Sequence, residues 1–429
     1  MLLGSAVDFR GWRGVTRGLG HCQLDARCVR GFIRAVRAPH YPCAAPASGI
    51  LLGREIRMRK ILNTKDFVLG TFATNCSGGM SVTKIGERWD NSWENNAKLA
   101  RMLDDAGIDF MLPIARWIGY GGETDFHGSV LETITWAAGL LAQTKNLTVF
   151  ATIHTAANHP AVVAKQIATL DQIGQGRAGL NIVAGWNRPE YEALGLPLAA
   201  GHDKRYSYAQ EWFDVIKQIW ERDGAFNYDG ENFHLKGIYG LPKPWHGERP
   251  PILNAAGSGE GRDFAIQNAN FLFTPAIDPA RSKVEVAELK AKARAADKPV
   301  QVLTFSHVVC RPTEQEARDY LRHFAQDNAD WAAVDNLVAL QFANAQSFPH
   351  DLLALIRDRM AAGHGGFPLV GTPEQVADGI CALAEAGFKG TTLSFVDYVK
   401  EFPYFRDTVL PILEARGLRQ PGGSRNGGQ

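Results

Sequence analysis

From residue 67 onward the chain alternates short apolar runs with stretches of helical periodicity. FVLGTFA (67–73) precedes NSWENNAKLARMLDDAG (91–107), where Leu99, Met102 and Leu103 recur at helical spacing and Gly107 supplies a C-cap. IDFMLPIA (108–115) follows, then a helical stretch at 130–143, LTVFATI (147–153), a helix at 160–173, RAGLNIVAGW (177–186) and a helix at 206–220. PPILNAA (250–256), NFLFTPA (270–276), VQVLTFSHVVC (300–310) and GTTLSFVD (390–397) complete eight strands, each with a helix pattern after it. The strands are almost continuously apolar, as strands buried on both faces must be. Eight strand–helix units predict an α/β fold, a (β/α)8 TIM barrel. Two insertions exceed ordinary loops: 221–249, with the hairpin-like FNYDGENFHL, and 327–371, ahead of the helix TPEQVADGICALAEAG (372–387).

Composition narrows the class. Of 429 residues, 45% are hydrophobic and 21% charged, which excludes a disordered chain, a collagen-like fibre and a disulfide scaffold. A formal charge of +1 argues against nucleic acid as the main partner. No apolar run is long enough to span a membrane. The balance is uneven, however. Residues 1–57 hold nine arginines, no lysine and three acids, with three of the six cysteines (Cys22, Cys28 and Cys43). This head reads as a disordered, transit-like extension or as the product of a mis-called start, with Met58 as the first residue. Residues 58–418 form the expected single barrel domain, and 419–429 a flexible tail. Cys76, Cys310 and Cys381 are scattered without a CxxC pair, which fits a reducing cytoplasm.

Barrel enzymes carry their chemistry at the C-terminal ends of the strands. Those ends expose Asn75, Thr152 and Asn181 as polar groups in or just after apolar strands; hydrogen bonding to a neighbouring strand is the plainer explanation of each. In ILNAAGSGEGRDFA (252–265) a strand runs through glycines into a helix, a pattern for cradling a phosphate or simply a serine-capped turn. Arg205, Tyr206 and Tyr208 open the following candidate segment, HDKRYSYAQEW (202–212), and Trp186 could stack on a flat ring or pack in its loop. His127, His154, His159 and His202 lie near strand ends, yet no HxH or HExxH pair and no suitably spaced carboxylate accompanies them, so no metal site is expected. No GxSxG nucleophile motif is present.

Taken in order and spacing, DQIGQGRAGLNIVAGW (171–186), RYSYAQE (205–211), AAGSGEGR (255–262) and LVGTPEQVADGI (369–380) resemble the bacterial luciferase-like flavin monooxygenases over about 350 residues. GYGGETDFHGSVLETIT (119–135) and FATIHTAANHPAVVAKQIATLDQI (150–173) are similar first to the pyrimidine monooxygenase subgroup and less to the dimethylsulfone monooxygenases. The resemblance implies a barrel that uses O2 and reduced FMN (FMNH2) delivered by an NAD(P)H-dependent flavin reductase. It implies a catalytic pocket of Leu112, Thr152 and Asn181, where oxygen adds at the flavin N5. It also assigns Thr152, Asn181, Tyr206, Gly257, Ser258 and Arg262 to FMN and sets Trp186 beside the isoalloxazine or the substrate; Asn75, at the end of the first strand, is taken with Trp186 as a candidate substrate-binding residue. A homodimer or larger homo-oligomer is implied as well. SGGMSVTKIGERWD (77–90) and ARWIGYGG (115–122) depart from the pyrimidine enzymes in loops expected to line the substrate pocket. The expected substrate is therefore a small heterocyclic amide, sulfone or haloaromatic rather than uracil itself. A deazaflavin (F420)-dependent dehydrogenase and a non-catalytic flavin-binding protein are the alternative functions.

Overall fold

The computed structural model describes residues 60–198, 201–257, 259–341 and 350–420. The extension 1–57 and most of the tail lie outside them. The strands are β1 (Val68–Phe72), β2 (Phe110–Leu112), β3 (Thr148–His154), β4 (Ala178–Val183), β5 (Ala225–Asp229), β6 (His234–Tyr239), β7 (Ile252–Ala255), β8 (Phe271–Phe273), β9 (Gln301–Cys310), β10 (Phe367–Gly371) and β11 (Gly390–Ser394). Eight of them run β1-β2-β3-β4-β7-β8-β9-β11, all parallel, and the β1–β11 and β8–β9 ladders close the barrel.

Successive strand residues face opposite ways, and both faces are buried. Val68, Phe110, Leu112, Phe150, Leu253, Phe271, Phe273 and Leu303 fill the inside of the barrel. Their neighbours Leu69, Met111, Val149, Ala151 and Leu180 belong to the larger cluster under the surrounding helices. Gly179 is needed inside: a Cβ there would stand 2.4 Å from the Phe150 ring. The helix Trp93–Asp105 turns fully buried Leu99 and Leu103 toward the barrel, and Ser92 caps it by accepting from the Asn95 amide. Gly107, at φ 70°, ends that segment as its sequence suggests.

The insertions carry structure of their own. Residues 225–239 form the antiparallel hairpin β5–β6, tied to the helix His202–Glu221 through Glu211, which accepts from the Asn232 and Phe233 amides. The stretch 327–371, expected as an insertion, holds the helices Trp331–Gln341 and His350–Gly363 and a ninth parallel strand, β10. The reason is the length of β9. Its ten residues outlast their barrel neighbours, and β10 covers the projecting edge from Ser306 to Cys310.

Three boundaries move. The helix expected at 206–220 begins at His202. β4 stops at Val183 because Gly185 turns to φ 105°, which frees Trp186 from the strand. Arg419, expected in a flexible tail, is buried: it bonds the Gly107 carbonyl at 2.9 Å and pairs with Asp109 at 2.6 Å. No helix among the described residues is long and apolar enough to cross a membrane.

Candidate active site

The C-terminal ends of the strands surround a cavity of about 390 Å³. Phe72, Phe273 and Phe305 form its apolar floor, with Phe273 and Phe305 stacked at 5.4 Å and Phe72 edge-on to Phe273 at 5.2 Å. Thr152 and Asn181 line it from β3 and β4, and Ala255, Ala256 and Gly257 from the end of β7.

Thr152 Oγ1 donates to the Pro113 carbonyl at 2.5 Å, and Asn181 Nδ2 donates to Thr152 Oγ1 at 3.1 Å. The hydroxyl hydrogen is thereby committed, so the carboxamide of Asn181 is oriented by its neighbour. Asn181 Oδ1 is buried without a partner. A buried acceptor left unmade is costly, and at a cavity wall it is a place for a ligand donor. Leu112 lies one residue before Pro113, inside the barrel cluster rather than on the cavity wall.

Asn75, assigned to the substrate, is not among the residues lining this cavity. It is fully buried and its carboxamide is consumed: Nδ2 donates to the carbonyls of Ile114 and Leu131, and Oδ1 accepts from the Ile114 amide. It braces the loops after β1 and β2. Trp186 does line the cavity, half-buried.

Beyond β7, two helix starts meet. The Tyr206 hydroxyl, on the helix His202–Glu221, lies over Gly261, in the first turn of the helix Gly259–Asn268. A methyl group on Gly261 would stand 2.5 Å from that oxygen. A Cβ on Gly257 or Gly259 would face open space. Arg205 and Arg262 each keep a buried Nε without a partner. Helix-start amides, bare glycines, a phenol and two guanidinium groups with an unpaired Nε suit a phosphate, although Glu260 also sits in this turn. Burial, more than neighbouring charge, raises the Tyr206 phenol above its ordinary range, so it remains a hydroxyl donor. Ser258 lies outside the described residues.

On the opposite wall the sequence placed Trp186 and the ARWIGYGG loop, but it gave Arg116 no role of its own. Arg116 lines the cavity there, with its guanidinium 4.8 Å from the Tyr120 ring and 5.2 Å from the Trp186 ring. Its ion pair with Glu190 is buried, at 3.5 Å. His154 and His364 also line the cavity, and burial pushes both imidazoles down to about 3, helped by Arg116. Gln341 Nε2 lies 2.9 Å from His364 Nε2, which makes that nitrogen the acceptor and leaves the Nδ1 hydrogen without a partner. His364 adopts a positive φ of 54°, as do His127, stacked on it, at 60° and Ala73, next to Phe72, at 59°. The departure of ARWIGYGG from the related enzymes was the available signal for this wall.

Comparison with known proteins agrees with this fold. The description "Luciferase-like monooxygenase" matches residues 68–390. The chain is 33% identical over 345 residues to the FMNH(2)-dependent dimethylsulfone monooxygenase of Pseudomonas fluorescens (strain Pf0-1), covering 79% of this chain and 92% of that one. It is 28% identical over 354 residues to pyrimidine monooxygenase RutA of Acinetobacter baylyi, covering 81% and 95%. The sulfone enzyme thus has the higher identity of the two, the reverse of the order expected from the motifs. Among solved structures, riboflavin lyase (RcaE) with modified FMN and riboflavin superposes with a TM-score of 0.74 at 22% identity, over 83% of this chain and 93% of that one. An F420-dependent secondary alcohol dehydrogenase reaches 0.59 at 19%, over 80% and 99%. Those two likenesses concern the fold alone. The match across three quarters of its length establishes that this chain belongs to the luciferase-like monooxygenase family.

Proposed function

We propose that this protein is the oxygenating component of a two-component, FMNH2-dependent monooxygenase. A separate NAD(P)H-dependent flavin reductase supplies the reduced flavin, and the substrate is a small heterocyclic amide, sulfone or haloaromatic. The observation that carries this reading is the relay from Pro113 through Thr152 to Asn181, which ends in a buried, unpartnered Oδ1 at the cavity. The sulfone is supported further by the named relative at 33% identity.

The residues present fit FMN. Tyr206, Gly257, Gly261 and Arg262 suit its phosphate, and the Phe72, Phe273 and Phe305 floor suits a flat ring. When bound, reduced FMN supplies the electrons that activate O2. The protein contributes positioning and electrostatics. Asn181 keeps one amide N–H and its Oδ1 for the ligand, in an orientation set by Thr152. A donor fixed in advance where negative charge develops needs no reorganisation during reaction. The apolar floor and Leu112 beneath it limit water that would discharge an activated oxygen species. The deazaflavin alternative has fold likeness on its side, whereas both named relatives of higher identity are monooxygenases. A homo-oligomer in a reducing cytoplasm fits the family resemblance and the three free cysteines among the described residues.

The test is anaerobic titration with FMNH2, followed by mixing with oxygenated buffer and either dimethylsulfone or a pyrimidine. Altered flavin reoxidation with substrate-dependent oxygen incorporation is expected. Reoxidation at the rate of free FMNH2 with every substrate, together with reaction of a reduced deazaflavin, would overturn the reading.

A further inference from the structure

We propose that Arg116 is the substrate-recognition residue of the cavity, and that it takes an organic oxyanion, such as a carboxylate, carried on a small apolar or aromatic body. This rests on the cavity being the substrate site of the monooxygenase proposed above; among the substrates named there it favours a heterocycle or haloaromatic that carries an anionic group over a neutral sulfone.

Arg116 is 8% exposed; its Nε makes no hydrogen bond, and its Nη1 faces Glu190 Oε2 at 3.5 Å without hydrogen-bonding to it. Its nearest acid, Glu190, is at 3.5 Å, has one oxygen taken by the Trp117 amide, and is not among the residues lining the cavity. No carboxylate is among the described lining residues; the basic ones are Arg116, His154 and His364. Both imidazoles are neutral at ordinary pH, so the positive charge presented to the cavity is that of the guanidinium. Glu190 pairs with that charge without itself lining the cavity.

A buried guanidinium with unmade hydrogen bonds is an expensive arrangement unless a ligand completes it. The planar fork matches two oxygens of one anion, whereas a neutral carbonyl offers one acceptor and no charge. Tyr120 and Trp186 hold the fork by their ring faces. The phenylalanine floor and Pro275 provide an apolar bed for the rest of the molecule. The same anion chemistry could come from the ring of reduced flavin, so the two sources must be separated by experiment.

Calorimetry on the full chain, with and without bound FMN, tests the assignment with benzoate and its neutral isostere benzamide. Wild-type protein should bind benzoate at least tenfold more tightly than benzamide. Arg116→Gln alone would strand the buried Glu190 charge, so the main variant is Arg116→Gln with Glu190→Gln, which removes both charges at nearly constant volume. Benzoate affinity should fall roughly 10- to 100-fold in that variant, while benzamide and FMN affinities stay within about threefold. Arg116→Lys, which keeps the charge and loses the fork, should fall between, and it carries the test if thermal melting shows the double variant unfolded. Equal binding of benzoate and benzamide, or benzoate binding indifferent to Arg116, overturns the proposal. A loss of FMN affinity in place of benzoate affinity assigns the guanidinium to the flavin and overturns it too. Failure of FMN to bind defeats the functional reading instead, and the benzoate arm on flavin-free protein still decides the role of Arg116.

Discussion

Asn181 and Thr152 stand opposite each other in the parallel register of β3 and β4, and the Asn181 amide donates to the Thr152 hydroxyl at 3.1 Å. Because the hydroxyl hydrogen is held by Pro113, the pair has one orientation, and the second amide N–H of Asn181, as well as its Oδ1, is left for a ligand. Asn181→Ala should therefore lower kcat by roughly 10²- to 10³-fold, as loss of a preorganised donor does elsewhere. FMN affinity should stay within about threefold. Steady-state oxygenation beside a fluorescence titration of FMN checks both, and retained turnover would remove Asn181 from the chemistry.

The phosphate cradle has a steric test. Gly261→Ala places a methyl group 2.5 Å from the Tyr206 hydroxyl, so one helix start must give way. FMN affinity should drop about tenfold or more. Adding Tyr206→Phe removes the oxygen but leaves the ring carbon Cζ at 2.9 Å and does not restore the phenol, so recovery should be slight. Unchanged FMN binding in Gly261→Ala would move the phosphate elsewhere.

Stability should fall as the solution is acidified from neutrality. Burial holds His154 and His364 near 3 and His307 near 4 in the folded state, against about 6.5 when unfolded. Below 6.5 the unfolded chain takes up protons that the folded chain refuses, so stability is lost as pH falls through the window from 6.5 toward 3. At pH 5 each imidazole costs roughly 2 kcal/mol. Urea unfolding at pH 7, 6 and 5 measures this. A midpoint that does not move over that range would contradict the burial of these rings.

At the other end of the barrel, Arg419 links the last described segment to Asp109 and the Gly107 carbonyl. Arg419→Ala leaves a buried carboxylate short of its partner and should cost about 3 kcal/mol. FMN and substrate binding should not change, because the contact lies away from the C-terminal strand ends. Chemical denaturation together with a flavin titration separates the two effects.

The eight strands were readable because each is a local apolar run followed by a local helical period. β10 was not. Its five residues alternate buried and half-buried, and it exists because β9 projects beyond the barrel. Thr152 and Asn181 stood out as polar residues in apolar strands, and the structure joins them. Asn75 showed the same signal, yet its carboxamide is spent on backbone groups 39 and 56 residues away. A polar residue in an apolar strand announces that it has a partner, without saying which. His154 was weighed only as a metal ligand, and Arg116 was noted only within a divergent loop.

The sequence by itself determined the barrel, the glycine-rich turn after β7 and the family, since periodicity, turn chemistry and motif order are properties of neighbouring residues. Tertiary structure alone decided the character of the cavity. Arg116, Trp186, Glu190 and His364 come from three separate loops and a short helix, and what each does depends on burial and on distances across the barrel mouth. Desolvation makes the histidines neutral, and the position of Glu190 leaves the guanidinium facing the cavity. Both are properties of the three-dimensional arrangement, and no stretch of neighbouring residues contains them.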